Sequence, residues 1–145
     1  MVRKTITKTV FLTALYLTLV PLDALAEIAV ITNPQLPVTS MSREEIYRIY
    51  LGKTKFLPSG AKITPVDQRP GASARSQFYA NVLRKSETEM KSYWSRVIFT
   101  GQGQPPLQEP DDQAVKDFVS KNPSAPGYID KSVVDDTVRV VYSAQ

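Results

Sequence analysis

The sequence predicts a single three-layer α/β domain, downstream of an N-terminal leader, on three observations. Short runs of β-branched and apolar residues alternate along the chain with longer segments of helical period. Ser or Asp caps open those helical segments. The 119 residues after the leader are enough for one hydrophobic core and too few to divide into two.

Residues 1–26 carry Arg3, Lys4 and Lys8, an apolar run from Val10 to Val20, then Pro21 and Ala24-Leu25-Ala26. That is the three-part pattern of a secretory signal peptide, with cleavage expected after Ala26. The apolar run is shorter than the ~20 residues a membrane-spanning helix needs. Cleavage would remove three basic residues and Asp23, leaving 15 basic and 13 acidic side chains on residues 27–145. The formal +4 of the whole chain is therefore largely a targeting charge, and no basic stripe with interleaved aromatics is left to recognise nucleic acid. The mature chain is expected to be exported, most simply to the periplasm, with no membrane span.

Glu27 to Thr32 is a nearly continuous apolar run closed by Asn33-Pro34, and it reads as a buried strand. Ser42 stands three residues before Glu45, a capping box, and the helix it opens places Ile46, Ile49 and Tyr50 on one face before Gly52 stops it. Pro58-Ser59-Gly60 turns the chain into a second strand expected at Ile63 to Val66, and Asp67 to Ser73 is expected as a loop ending in a Ser73 helix cap. The next helix turns Phe78, Tyr79, Val82 and Leu83 inward. Ser86 and Glu89 form another capping box, opening a helix whose Met90, Tyr93, Trp94, Val97 and Ile98 share an inward face. Thr100 to Pro110, rich in Gly, Pro and Gln, reads as an irregular loop, of which Gly101 to Pro106 suits partner contact. Asp111 or Asp112 opens a helix burying Val115, Phe118 and Val119, which ends at Asn122-Pro123. Gly127-Tyr128-Ile129 and Val138 to Tyr142 are the last strands.

With no Cys and no His, thiol nucleophiles, redox pairs, Ser-His-Asp triads and the common metal sites are excluded, and no cofactor is expected. Ser59-Gly60-Ala61-Lys62 has a Ser-x-x-Lys spacing, but in a turn between strands the amine is not brought onto the hydroxyl. The adjacent acids Glu44-Glu45 and Asp111-Asp112 are helix-start residues, and Met90, Tyr93 and Trp94 at helical spacing read as core. No residue set makes a nucleophile with its base, so the chain is read as non-enzymatic.

One helix start differs from the rest. Three of the four carry acids in the first turn, where the positive end of the helix favours them, whereas the helix at Ser73 begins Ala74-Arg75-Ser76-Gln77 with Arg69 just before it. Free backbone N–H groups beside a hydroxyl and two guanidinium groups make a candidate anion site, formed by Arg69, Ser73, Ala74 and Arg75. The competing reading turns Arg75 to solvent and pairs Arg69 with Asp67.

These segments carry a resemblance. Ile31-Thr32-Asn33-Pro34, the stretch from Ser42 to Lys53 ending in Ile49-Tyr50-Leu51-Gly52-Lys53, Arg69 to Arg75, and Pro126-Gly127-Tyr128-Ile129 resemble, in order, one lobe of the phosphate ABC transporter substrate-binding proteins. The resemblance implies the type II periplasmic binding protein fold in a single lobe over 27–145. It also implies inorganic phosphate or a similar oxyanion as ligand, and an ABC transporter permease or another envelope protein as receiving partner. In the family the anion loop reads Arg-x-x-Gly-Ser-Gly-Thr; by position Arg69 matches its Arg and Ser73 its Ser, while Ala72 and Ala74 stand at Gly positions and Arg75 at the Thr. Two readings stay open at this point: an oxyanion-binding lobe, and an interaction module of the same fold that has lost the ligand. A complementary lobe from a second chain is a further possibility.

Overall fold

The computed structural model describes residues 26–145. The expected signal peptide lies, Ala26 apart, outside the described residues. Strand β1, Ile28–Thr32, is buried along its whole length, and its side chains alternate between two cores. Ile28 and Val30 face the larger one, and Ala29 and Ile31 the smaller. This alternation creates the three layers, because a strand apolar on both faces must be covered on both.

The larger core is covered by α1, Arg43–Tyr50, by α2, Ser73–Phe78, which continues into one π-helical turn at Tyr79–Leu83, and by α3, Glu87–Phe99. The smaller core is covered by α4, Asp112–Lys121, through Val115 and Val119. Both expected capping boxes are formed: Ser42 accepts from the Glu45 amide and Glu45 accepts from the Ser42 amide, and Ser86 and Glu89 repeat the arrangement. Gly52 ends α1 with a φ of 69°, in the left-handed region where a side chain would be strained.

The sheet is where the structure departs most from the sequence reading. β1 lies between β4, Gly127–Asp130, and β5, Arg139–Ala144, antiparallel to both, with a register shift against β5 between Val30 and Ile31. The second strand is Val66–Gln68, three residues beyond the start expected at Ile63, so Asp67 belongs to strand β2 rather than to a loop. The loop expected over Thr100 to Pro110 contains a further strand, β3, Leu107–Glu109, which pairs parallel with β2. Val66 apart, polar or exposed residues fill both strands, so neither shows an apolar run. β2 reaches the larger sheet through the Val66 amide, which donates to the Pro126 carbonyl over 2.9 Å. Ile98, expected inside, is half exposed, because α3 runs past the edge of the core at its last turn.

Candidate functional site

β2 delivers the chain to the loop Arg69-Pro70-Gly71-Ala72, and α2 starts immediately after it. The Arg69 amide donates to the Glu109 carbonyl at 3.1 Å, which ties the loop's entry to the end of β3, and the Ala72 amide donates to the Arg69 carbonyl at 3.2 Å. Gly71 takes a φ of 88°, so this turn needs a glycine at that place. The cap of α2 is Ala72, not Ser73; Ser73 is the first helical residue, and its hydroxyl accepts from the Gln77 side chain at 3.2 Å. No side chain caps the helix and no acid stands in its first turn. Among the described residues, the amides of Ser73, Ala74 and Arg75 therefore have no protein acceptor.

Arg69 and Ser73 are exposed, and Ala74 is buried. The reading that pairs Arg69 with Asp67 is corrected: among the described residues the Arg69 side chain makes no ion pair, and the guanidinium beside Asp67 is that of Arg75. The reading that turns Arg75 to solvent is corrected too. Arg75 is only 8% exposed, donates through Nη2 to the Tyr79 hydroxyl at 3.0 Å, and lies 3.8 Å from an Asp67 oxygen and 3.9 Å from a Glu87 oxygen. Its Nε and Nη1 are shielded from solvent and have no hydrogen-bond partner among the described residues.

Asp67 anchors this cluster. Its carboxylate accepts from the Tyr79 hydroxyl at 2.5 Å, from the Tyr128 hydroxyl, and from the Gln68 amide at 2.8 Å. Burial disfavours the charge on Arg75, but Asp67 and the Tyr79 phenol outweigh it, so its pKa lies above the ordinary arginine value. Burial, and then the Asp67 charge, push the Tyr79 and Tyr128 phenols well above their ordinary range. Gln68 donates from its side chain to Asp112 at 2.6 Å and to the Tyr128 carbonyl at 3.1 Å, tying β2 to the start of α4. Asp67 and Tyr79 are the residues that sequence reasoning missed around this site. The i, i+4 spacing of Arg75 and Tyr79 on one helix was the available signal.

No family model matches the chain. Solved structures do. A protein described as a phosphate ABC transporter substrate-binding protein from Clostridium perfringens, solved with bound phosphate, superposes with a TM-score of 0.65 at 26% identity, covering 80% of this chain and 45% of that one. The fold is that of the phosphate ABC transporter substrate-binding proteins, in a single α/β lobe. An ABC-type phosphate transport receptor from Vibrio cholerae matches this lobe with a TM-score of 0.64 at 24% identity, over 80% of this chain and 46% of the other. PstS from Borrelia burgdorferi matches it at 0.60 and 17%, over 80% and 47%. The type II lobe described here thus spans a little under half the length of the binding proteins it matches.

Among the described residues no helix of the lobe is long and apolar enough to cross a membrane, and no three acidic side chains converge as a metal site would require.

Proposed function

We propose that residues 27–145 form a non-enzymatic, exported oxyanion-binding lobe of periplasmic type, with phosphate as the ligand its chemistry fits best. The observation that carries this reading is the start of α2, where three unacceptored amides, an exposed hydroxyl and an exposed guanidinium share one turn with no carboxylate. Arg69 supplies charge-assisted hydrogen bonds and Ser73 its hydroxyl. Ala74 and Arg75 supply backbone N–H groups at the positive end of the helix. The Arg75 side chain, held inward by Tyr79 and Asp67, contributes positive charge from behind the loop rather than a direct contact. A membrane permease or another envelope protein is the receiving partner in this reading, as expected for a substrate-binding lobe.

Calorimetric titration of the purified protein with phosphate and with sulfate at low salt tests it. Heat with at least one anion is expected, and Arg69→Ala should weaken binding by about 10-fold or more, the loss of a charge-assisted contact worth ~1.5 to 3 kcal/mol. No heat with either anion up to millimolar concentration would sink the proposal.

One observation favours a second reading, in which the fold is kept as an interaction module without ligand. Arg75 occupies the position of the family's hydroxyl residue and points into the protein, so the loop offers one side-chain donor fewer. A silent titration together with an unchanged fold in Arg69→Ala would support it.

A further inference from the structure

The segment from Gln102 to Pro106 takes no part in the anion site, and it walls a groove elsewhere on the lobe. The groove encloses about 680 Å³. Ile63 to Pro65, which precede β2, and Gly103 to Pro106, which precede β3, line it, whereas Arg69 to Ser73 follow β2. Because β2 and β3 run parallel, the groove and the anion loop lie at opposite ends of that strand pair.

The floor is apolar, formed by Leu51, Ile63, Trp94 and Val97. Three exposed ammonium groups, Lys53, Lys55 and Lys62, stand on its walls, and no Asp or Glu lines it. Lys55 also donates to the Gln102 carbonyl at 3.1 Å, which fixes the Pro- and Gly-rich wall to the opposite one. Four large apolar side chains are exposed among the described residues: Phe56, Ile98, Phe99 and Leu107. Leu107 is part of the lining, and the other three are neighbours, in the chain or across a β-bridge, of residues that line it: Phe56 pairs with Lys62 in an isolated β-bridge, and Ile98 and Phe99 follow Val97 at the end of α3.

An apolar-floored concavity with exposed apolar residues adjoining its lining marks a surface that is covered in use. A small molecule filling the cavity would leave Phe56 and the 91% exposed Phe99 in water. A flat lipid surface would cover those rings and leave the cavity empty. A protein segment does both, and walls of lysine without carboxylates select an acidic one. We propose that this groove is the docking site of a partner protein whose contacting segment carries apolar anchor side chains flanked by Asp and Glu.

Selection of a random phage-displayed peptide library on the full chain tests this. Enrichment of peptides with Phe, Leu or Trp flanked by acidic residues is expected. Those peptides should change the fluorescence of Trp94, the only tryptophan in the sequence, because it forms part of the groove floor. Their affinity should fall at least ~10-fold in Lys53→Glu/Lys62→Glu and in Phe99→Ser, all exposed positions whose substitution leaves the melting temperature unchanged. It should stay unchanged in Arg69→Ala, so that failure of the groove and failure of the anion site are separate results. The proposal is overturned by absence of enrichment, by enriched peptides without acids, by equal affinity for the lysine variant, or by loss of binding in Arg69→Ala. Binding of phosphatidylglycerol vesicles that requires the same lysines and Phe99, with no peptide enriched, would assign the surface to a membrane and overturn it as well.

Discussion

Asp67 gathers three donors and a cation around one buried carboxylate, and it does so from the middle of a three-residue strand. A carboxylate with this many partners is stable in the interior only while all of them are present. Asp67→Asn removes the charge that balances Arg75 and turns an amide donor toward donors, so urea unfolding should show a loss of about 3 kcal/mol. The same cluster sets the alkaline limit of the fold. Tyr50, Tyr79 and Tyr128 all have phenol pKa values raised above the ordinary 10.0, chiefly by burial. A raised folded pKa means that their contribution is complete below pH ~10 and is lost as pH climbs toward the folded values. Titration followed at 295 nm should therefore show these three phenols ionising only together with unfolding. Ionisation of all seven tyrosines in one step near pH 10 would contradict the network. At this scale the sequence was half legible. The absent acids around Ser73 were plain, but the direction of Arg75 was not, since Asp67 reads as a loop residue until its partner Tyr128, 61 positions away, is in place.

Among the elements, those governed by local chemistry could be read and those governed by distant partners could not. Ser42 with Glu45 and Ser86 with Glu89 are reciprocal bonds within four residues, and Asp111 caps α4 by accepting from the Ala114 amide. All three helix starts follow from their own sequences. β2 and β3 hold three residues each and are defined by each other, so no pattern within Val66-Asp67-Gln68 or Leu107-Gln108-Glu109 announces them. The seat of α4 on the sheet rests on a missing side chain. A Cβ at Gly127 would stand 2.7 Å from a Val115 methyl and 2.9 Å from a Val119 methyl, both in the smaller core. Gly127→Ala should thus cost about 1 to 3 kcal/mol in chemical denaturation, as overpacking does. Gly127→Ala combined with Val115→Ala should recover part of that loss, which separates crowding from a backbone effect. The aromatic stack of Phe78 on Tyr128, with centroids 3.9 Å apart and planes 6° from parallel, joins α2 to β4 on the opposite face of the sheet. The two faces of β4 are therefore held by different means: close approach of backbone to α4, and ring stacking against α2.

At the scale of the whole molecule, the loop from Arg69 to Gly71, proposed as the anion loop, is exposed. The matched binding proteins are roughly twice as long. In the proposed reading, an anion at this exposed loop has water on its outer side, so the contacts of Arg69 and the α2 amides would be screened by ions more than in a closed cleft. Phosphate affinity should consequently fall at least ~10-fold between low salt and half-molar sodium chloride. An affinity independent of salt would show that the anion is enclosed. The overall class, three layers around a central strand, was readable because Glu27 to Thr32 has apolar residues on both faces and helices follow at intervals. Strand order was not, since it is decided by which edge each late strand reaches. That order makes folding late and collective. β1 opens the described chain, yet its two neighbours are the last strands to be made, and the pairing of Ile28 with Ala144 closes a loop of more than a hundred residues. A chain emerging from a ribosome or a translocation pore has no strand partner for β1 until β4, Gly127–Asp130, is free, and lacks the second until β5 follows. Its first half must wait, with its most apolar segment unpaired, for the second.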